Sequence, residues 1–457
     1  MKKNKTNASR LIILSFLGTI IVGTILLLLP FSTQAPGCMN IIDALFTSAS
    51  ATCVTGLIVV DTGSFFTPFG KAVILALIQL GGLGIMTMST FFLIMLGKRL
   101  TLRERVMMKD TLGEKKIKGV KSLILMIVGM TILLESIGAA LLALRFFRIY
   151  KYPVDKAIIH GIFHSVSAFC NAGFSLYQDS LMRFGNDWVV TGIMGGLILL
   201  GGIGFVVWYN ITHLYFWRRD RTRRGRLRLQ SRIALATSAI LLVVMFLFII
   251  AVEWNNTLGE MPPGEKICRA VFQAITPRTA GFNTMPTDHL NPATLWVTMV
   301  MMFIGASPSS TGGGIKTCTF AVILASVYAM VTGKKQVVLR EKSISDRISS
   351  KAISIVVISL GVVFVACTLL LLVESTTSRQ FCGDDYIGAL IFESVSAFGT
   401  VGLSVGITPH LSLLGKMVII LTMYVGRIGP LTLALLIGRK IQPPAAIRYP
   451  EESVMVG

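Results

Sequence analysis

The chain has 457 residues, of which 53% are apolar and only 14% are charged. Soluble domains usually carry about 25% charged residues, and apolar stretches long enough to cross a bilayer recur along this sequence. These proportions exclude an ordinary soluble protein and predict a polytopic membrane protein. The net charge of +21 would suggest a nucleic-acid partner in a soluble chain, but here the placement of the basic residues decides its meaning.

The basic residues collect in alternate loops. Residues 97–121, 217–232 and 333–351 carry nine, eight and six Lys or Arg, and the two ends of the chain add more. The loops between them carry at most three each. By the positive-inside rule, both termini and the three basic loops are predicted to be cytoplasmic. The charge is then a signal of topology that also attracts anionic membrane lipid, and we expect no nucleic-acid partner.

In chain order, a long apolar helix, a segment too short to span a bilayer and a second long helix occur four times. The predicted outer helices are 11–31, 123–147, 233–252 and 352–373. The predicted short helices are 39–52, 155–169, 265–275 and 384–398. The predicted inner helices are 69–96, 189–216, 295–331 and 413–437.

This order predicts an all-α polytopic membrane protein with eight spanning helices and four half-helices. They form four parallel helix–pore loop–helix repeats around a central pore. The predicted repeats cover residues 1–97, 98–217, 218–332 (with a broken inner helix) and 333–440, and a cytoplasmic tail covers residues 441–457.

A similar phrase that ends at a glycine follows each short helix. It reads SVSAFGTVGL at residues 394–403, SVSAFCNAGF at 165–174, SASATCVTGL at 48–57 and, in a more divergent copy, AITPRTAGF at 274–282. The phrase recurs roughly every 110–120 residues, whereas a solenoid unit has only 20–50. This spacing fits two membrane helices and the loop between them.

Non-helical backbone at membrane depth is tolerated only where it is buried in protein or lines a water-filled cavity. Four such loops can converge on one axis, where their carbonyl groups replace the hydration shell of a cation. Glycine permits the backbone conformations required, and the C-terminal ends of the short helices favour a positive ion. The predicted ion-binding residues are Val54, Thr55, Gly56, Asn171, Ala172, Gly173, Thr279, Ala280, Gly281, Thr400, Val401 and Gly402.

These loops resemble the four filter loops of the Trk/Ktr/HKT potassium-transporter superfamily. The length of the chain and its ending Ile447, Arg448, Tyr449 and Pro450 are most similar to the bacterial Ktr-type membrane subunit. The resemblance implies K⁺ as the transported ion and a homodimer in the bacterial inner (plasma) membrane. It also implies control by a cytosolic ring of nucleotide-binding subunits that responds to ATP and ADP. Because this chain has no GxGxxG motif, we expect no nucleotide to bind to it; activation by Na⁺ stays open.

The third inner helix is predicted to break at Pro308 and at three successive glycines. This segment resembles the intramembrane gating loop of the family, and its residues are Gly305, Ala306, Ser307, Pro308, Ser309, Ser310, Thr311, Gly312, Gly313, Gly314 and Lys316. Relatives in the family have a small residue or a glycine at the position of Pro308. The alternative is a packing break without a gating role.

Arg427 lies inside the fourth inner helix, and an arginine at membrane depth is a functional candidate. It resembles the family arginine that faces the pore below the filter, where we expect an electrostatic barrier. The alternative is an ion pair with Glu135 or Glu393, which we otherwise expect to be structural carboxylates. Arg278 is expected to anchor the third loop.

Several further features are given structural interpretations. Each inner helix carries a glycine patch, which indicates close helix packing. His160 and His164 have metal-ligand spacing but no third ligand nearby, so packing is favoured. Seven scattered cysteines predict no disulfide framework.

Two other functions compete with a channel-like subunit. A carrier that couples K⁺ to Na⁺ or H⁺ is disfavoured because many such carriers use inverted repeats, whereas these repeats run in one direction. A non-transporting scaffold is the other alternative. No set of nucleophile, base and oxyanion donors indicates an enzyme.

Overall fold

The computed structural model describes residues 3–35, 39–84, 87, 120–215, 227–334, 336–340, 342–375 and 386–429. Within them the protein is mostly helical, and its helices follow the predicted order. Three helices are long and apolar enough to cross a membrane, Ile124–Arg148, Leu229–Glu253 and Asp346–Glu374, and one bent pair makes a fourth candidate.

The long outer helices expose many large apolar side chains, such as Ile132, Val243 and Phe364. Exposed apolar residues in this number indicate a lipid-facing surface. The outer helices are α1 (Lys3–Leu28), α5 (Val120–Arg148), α9 (Leu229–Glu253) and α13 (Asp346–Glu374).

The short helices have 13 to 16 residues. At 1.5 Å per residue they reach about 20–24 Å, less than the thickness of a bilayer core. They are α2 (Ile41–Cys53), α6 (Val154–Phe169), α10 (Pro263–Ile275) and α14 (Tyr386–Gly399).

Each inner helix begins at a polar residue whose side chain accepts a hydrogen bond from a backbone N–H of the first turn. These N-caps are Thr67, Asp187, Asn291 and Ser412, residue types that satisfy the free amides of a helix start. The inner helices are α4 (Pro68–Leu83), α7 (Trp188–Gly202) with α8 (Phe205–Tyr215), α11 (Pro292–Phe303) with α12 (Thr317–Val331), and α15 (Leu413–Ile428). A single turn, α3 (Thr62–Phe65), precedes α4.

The prediction of one continuous helix over residues 189–216 is wrong. α7 ends at Gly202, and α8 resumes at Phe205 after a bend of 90°. Gly204 in the bend has a φ of 99°, a left-handed conformation that ends a helix. Gly84 and Gly429 end α4 and α15 in the same way, with φ of 81° and 92°. The rest of the predicted helices to residues 96 and 437 lies outside the described residues, apart from Thr87.

The prediction of an all-α chain needs one small correction. Two strands, β1 (Val337–Leu339) and β2 (Lys342–Ile344), pair antiparallel, with Val337 opposite Ile344. They lie between α12 and α13 in a stretch rich in β-branched residues, which favour strands.

We call one outer helix, its short helix, the following loop and its inner helix a unit. Each inner helix packs against the short helix of the next unit: α4 on α6, α7 on α10, α11 on α14, and α15 on α2. The contacts therefore close into a ring. An ion pair between Asp43 of α2 and Lys416 of α15, 2.7 Å apart, joins the first unit to the last.

Buried carboxylates tie the ends of two outer helices to the starts of the inner helices. Glu253 accepts hydrogen bonds from the Asn291 amide (2.9 Å) and the Thr294 hydroxyl (2.6 Å). Glu374 accepts from the amide (2.8 Å) and the hydroxyl (2.6 Å) of Ser412. The start of each of these inner helices is therefore fixed to the outer helix of its own unit.

In the second unit the same junction uses an ion pair, because Arg145 of α5 lies 2.9 Å from Asp187. Partial burial alone would raise the pKa of Asp187, but hydrogen bonds from Arg145, from the amides of Val189 and Val190 and from Tyr150 together hold this pKa below its ordinary value. The Asp187 carboxylate therefore stays ionised and caps α7.

Candidate functional site

The four short helices end in loops with one shared backbone conformation. We call residues 54–56, 171–173, 279–281 and 400–402 the glycine loops. Their first residues, Val54, Asn171, Thr279 and Thr400, have φ of 58°, 59°, 69° and 49°. A left-handed conformation costs a residue with a Cβ atom roughly 1–2 kcal/mol, and three of these four residues are β-branched. The loops therefore need support from their surroundings.

The last residue of each loop is also left-handed, and here it is always glycine. Gly56, Gly173, Gly281 and Gly402 have φ of 94°, 72°, 76° and 92°. The residue between the two left-handed positions donates its backbone N–H to the preceding short helix. These hydrogen bonds run from Thr55 to Ser50 (2.8 Å), Ala172 to Ser167 (2.7 Å), Ala280 to Thr276 (3.0 Å) and Val401 to Ser396 (2.9 Å).

The four glycines meet in a closed ring, which we call the glycine ring. A Cβ atom on Gly56 would overlap the carbonyl oxygen of Ala172, and one on Gly281 would overlap that of Val401. A Cβ atom on Gly402 would overlap the carbonyl oxygen of Thr55, which returns to the first unit. At Gly173 the corresponding distance, to the Ala280 oxygen, is 3.0 Å. The structure thus brings together all twelve residues that the sequence predicts to bind an ion.

The loop of residues 304–316, between α11 and α12, lies directly against this ring. A Cβ atom on Gly312 would overlap the Thr279 hydroxyl, and one on Gly313 would overlap the Thr400 hydroxyl. Lys316 folds back and donates from Nζ to the carbonyl oxygens of Gly312 (2.7 Å) and Gly313 (3.3 Å). Only glycine allows so close an approach.

The same 304–316 loop binds the bend between α7 and α8. Ser307 donates its amide to the Gly202 carbonyl (3.1 Å), and Phe205 donates its amide to the Ser309 carbonyl (2.8 Å). The amide of Thr311 lies 3.4 Å from the Gly201 carbonyl. A break in a helix leaves backbone groups without their helical partners. The 304–316 loop supplies those partners, so the loop and the bend form one hydrogen-bonded assembly.

Pro308 stands where the other inner helices have a left-handed glycine, although α11 already ends at Phe303. Gly84, Gly204 and Gly429 each stand three residues after a patch glycine, at 81, 201 and 426, and Pro308 stands three residues after Gly305. The proline ring fixes φ near −65°, so Pro308 cannot adopt the left-handed turn of the other three. The left-handed residue is instead Ser309, with φ of 59°.

Arg427 connects this loop to the first unit. Its guanidinium donates hydrogen bonds to the carbonyl oxygens of Thr311 and of Gly81, at the end of α4. The alternative ion pair does not occur among the described residues. Glu135 accepts instead from Gln79 Nε2 at 3.1 Å, and Glu393 accepts from the Thr408 hydroxyl.

Arg278, next to the third glycine loop, points away from the ring. It donates to the carbonyl (3.1 Å) and the hydroxyl (3.0 Å) of Ser238 in α9. This geometry agrees with the predicted anchoring role. His160 and His164 hydrogen-bond to the hydroxyls of Tyr177 (2.8 Å) and Ser175 (3.2 Å), in agreement with the packing interpretation.

The sequence interpretation missed two sets of residues. One is the patch glycines in their role of ending α4, α7 and α15: close packing accounted for each patch by itself, but not for the register that the patches share along the chain. The other is a hydroxyl residue six positions before each of three ring glycines and five before the other, namely Ser50, Ser167, Ser396 and Thr276. Both sets repeat with the units, and that repetition was the available signal. Cys38, Cys382 and the predicted tail 441–457 lie outside the described residues.

A fold of membrane-length helices around a ring of backbone carbonyls defines a class of cation-translocating membrane proteins. Residues 5–447 match the TrkH family of cation transport proteins, and the chain belongs to that family. The family is one of transporters rather than enzymes.

Individual relatives cover almost the whole chain. It is 41% identical to the Ktr system potassium uptake protein B of Bacillus subtilis (strain 168), over 97% of this chain and 95% of the relative. It is 39% identical to the protein of the same description from Vibrio alginolyticus, over 100% and 96% of the two chains. It is 35% identical to the potassium/sodium uptake protein NtpJ of Enterococcus hirae, over 100% and 98%.

The fold is similar to that of a solved structure. The crystal structure of the potassium transporter TrkH from Vibrio parahaemolyticus matches with a TM-score of 0.70 at 19% identity, over 96% of this chain and 86% of that one. At this level of identity the comparison supports the shared fold.

Proposed function

We propose that this chain is the potassium-translocating subunit of a gated K⁺ uptake system in the bacterial plasma membrane. The observation that carries the proposal is the closed glycine ring, in which four loops of one conformation bring backbone oxygens together. Such oxygens can replace the hydration shell of a K⁺ ion. Two relatives are potassium uptake proteins, which supports the choice of ion.

The proposed architecture is four parallel repeats with eight spanning helices and four half-helices around one pore. The repeats are the predicted ones, with boundaries near residues 97, 217, 332 and 440. The ring of contacts between units supports this arrangement, and the alternation of basic and non-basic loops supports cytoplasmic termini. The short helices would direct the negative ends of their dipoles toward the ion.

We propose that the 304–316 loop is the gate. It lies against the glycine ring, and Arg427 and Lys316 place two cationic side chains beside it. Positive charge at a constriction opposes the passage of a cation. Opening would move this loop away from Thr279 and Thr400. Because the loop is bonded to the bend, it would move together with α8.

The relatives' description as parts of a Ktr system supports a regulatory partner. We propose that the chain works as a homodimer on a cytosolic ring of nucleotide-binding subunits that responds to ATP and ADP. Reconstitution of the chain with and without such a subunit, in ATP and in ADP, tests this part. Equal K⁺ flux under all conditions would argue against nucleotide control.

The central experiment is ⁸⁶Rb⁺ or K⁺ flux into proteoliposomes. Gly281→Ala is expected to reduce flux by about 100-fold, because its Cβ atom would overlap the Val401 carbonyl. Gly388→Ala in α14 is the control, since no atom of the described residues lies within 4 Å of its added Cβ. A Gly281→Ala protein that conducts as well as the control would contradict conduction through the ring.

A second candidate is a carrier that couples K⁺ to Na⁺ or H⁺. One relative is a potassium/sodium uptake protein, and this favours retaining the coupled carrier as a candidate. Reversal potentials discriminate between the two. A channel follows the K⁺ gradient alone, whereas a coupled carrier shifts when the Na⁺ or H⁺ gradient changes. The same recordings, made with Na⁺ present and absent, also test Na⁺ as an activator.

A further inference from the structure

Each unit has one hydroxyl residue before its glycine loop, five or six positions ahead of the ring glycine. The side chains of these residues are fully buried, and they are Ser50, Ser167, Thr276 and Ser396. We call them the loop hydroxyls. A fully buried hydroxyl needs a hydrogen-bond partner, and each of these finds its partner in the glycine loop or in the residue just after it.

The loop hydroxyls contact the backbone of each ring glycine or of the residue that follows it. Ser50 Oγ donates to the Leu57 carbonyl at 2.7 Å and accepts from the Gly56 amide at 3.1 Å. Ser167 Oγ donates to the Phe174 carbonyl at 2.7 Å.

The other two units repeat this contact. Thr276 donates to the Phe282 carbonyl, and Ser396 Oγ accepts from the Gly402 amide at 3.1 Å. Leu57, Phe174 and Phe282 each follow a ring glycine directly.

The same four residues also hold the near side of each glycine. Their backbone carbonyls accept the amide of the residue before the glycine, as described above. One residue per unit therefore holds the glycine loop at two points, through its carbonyl and through its hydroxyl. Between those points lies the carbonyl that faces the next unit, and in the first three units also the left-handed glycine.

We propose that the four loop hydroxyls are positioning residues that fix the spacing of the ring carbonyls and thereby set the preference for K⁺ over Na⁺. This inference rests on the proposed function of the glycine ring as an ion filter. Na⁺ is smaller than K⁺ and needs its oxygen ligands closer together. A loop held at only one point can relax toward the smaller ion, so selectivity should fall before conduction does.

The chain offers matched controls two residues earlier on the same helices. Ser48, Ser165 and Ser394 are also fully buried. Their hydroxyls donate to helical carbonyls instead, those of Ile20 (2.7 Å), Glu135 (2.7 Å) and Leu390 (2.8 Å). Alanine at these positions removes a buried hydrogen bond of the same kind without touching a glycine loop.

The experiment measures the K⁺/Na⁺ permeability ratio from reversal potentials of the reconstituted full chain. Ser50→Ala and Ser167→Ala are expected to lower the ratio roughly five-fold, about the effect of one lost hydrogen bond. Ser48→Ala and Ser165→Ala are expected to leave the ratio unchanged. Ser167→Thr keeps a hydroxyl, as Thr276 does in the third unit. This variant should retain much of the wild-type K⁺/Na⁺ permeability ratio, unlike Ser167→Ala.

Thr276→Val and Thr276→Ser separate loss of the hydroxyl from loss of shape. Valine keeps the branched shape of threonine and lacks the hydroxyl, whereas serine keeps the hydroxyl, so only valine should lower the ratio. Equal losses for the loop hydroxyls and their controls, or an unchanged ratio in all variants, would overturn the inference. If the wild-type protein itself shows no K⁺-selective flux, the proposed function fails instead.

Discussion

The four glycine loops share one backbone, whereas the four inner helices beside them do not. All four loops place a left-handed residue two positions before a left-handed glycine. Each ring glycine lies against the backbone of the next unit. A closed ring of this kind requires four compatible members, because one loop of different shape would leave a gap or a clash.

Three of the inner helices also resemble one another. A Cβ atom on Gly81, Gly201 or Gly426 would overlap a carbonyl oxygen at the end of a short helix, that of Thr52, Phe169 or Phe398. In the third unit, Gly305 faces the Gly313 carbonyl of its own 304–316 loop instead. The 304–316 loop, which we propose as the gate, thus comes from the third unit alone, and the similarity of the inner helices is lost there.

The largest effect is expected from alanine at the ring glycines. The ranking of the four variants by loss of K⁺ uptake tests whether the units are equivalent. Gly402→Ala, Gly56→Ala and Gly281→Ala should each reduce K⁺ uptake by about 100-fold, because strain and overlap of 1–3 kcal/mol act on the ion-binding backbone. Gly173→Ala should retain the most uptake, since its Cβ would lie 3.0 Å from the nearest oxygen. Uptake rates in a K⁺-uptake-deficient bacterium measure the order. Equal loss at all four sites would show that available space does not limit function.

Alanine at the bend between α7 and α8 is expected to increase K⁺ flux, by a smaller factor than the ring substitutions reduce it. Alanine at Gly84, Gly204 or Gly429 should cost a similar 1–2 kcal/mol for the left-handed backbone. Only at Gly204 would the new Cβ atom overlap the Pro308 carbonyl. Gly204→Ala should therefore displace the 304–316 loop and raise partner-independent K⁺ flux about ten-fold, the change that 1.4 kcal/mol produces.

Gly429→Ala is the matched control for this variant, because within the described part of the chain no atom lies within 4 Å of its Cβ position. Flux in liposomes without the cytosolic partner is the measurement. A similar increase in both variants would indicate a general loosening of the inner helices and not a specific link between the bend and the loop.

Arg427→Gln should give a more moderate increase in the same assay. Glutamine is shorter and uncharged, so it cannot hold both the Thr311 and the Gly81 carbonyl. The glutamine amide can keep a bond to one of these carbonyls, so part of the link between the 304–316 loop and α4 remains. Arg278→Gln provides the contrast, because Arg278 bonds to Ser238 and not to the 304–316 loop, so this variant should lower thermal stability without raising partner-independent flux. Unchanged flux in Arg427→Gln would remove the arginine from the gating proposal.

The smallest effect is expected where the first and last units join. Lys416→Met should destabilise the protein by about 1 kcal/mol, as expected for a partly exposed ion pair. A double-mutant cycle with Asp43→Asn, followed by thermal unfolding in detergent, isolates the interaction. Transport should not change. A large loss of transport would show that the junction between α2 and α15 also shapes the glycine ring.

Much of the helical order and the positions of the ring residues could be predicted, because apolar length and the repeated phrase are properties of the sequence itself. The breaks after Gly202, and at Gly84 and Gly429, could not. Glycine in a membrane helix occurs both at sites of close packing and at left-handed turns. The identity of the residue alone does not distinguish these two roles. The break at Pro308 could be predicted, since proline excludes a continuous helix.

The contacts of the candidate gate were beyond prediction for a different reason. Arg427 is separated from Thr311 by 116 residues and from Gly81 by 346. Which carbonyls a buried guanidinium reaches depends on how the units pack, and no local pattern encodes it. The loop hydroxyls were visible in the repeated phrase, but their partners lie across a turn whose shape only the structure gives.

The carboxylates at the helix junctions have a mechanical consequence. Glu253 and Glu374 fix the starts of α11 and α15 to the outer helices, and Asp187 with Arg145 does so for α7. Each of these inner segments is therefore clamped at one end and interrupted by a glycine or proline at the other. Such a segment acts as a rigid arm with a pivot at its far end. Force applied to α8 would turn it about Gly204 and leave the clamped arm, and the glycine ring beside it, in place.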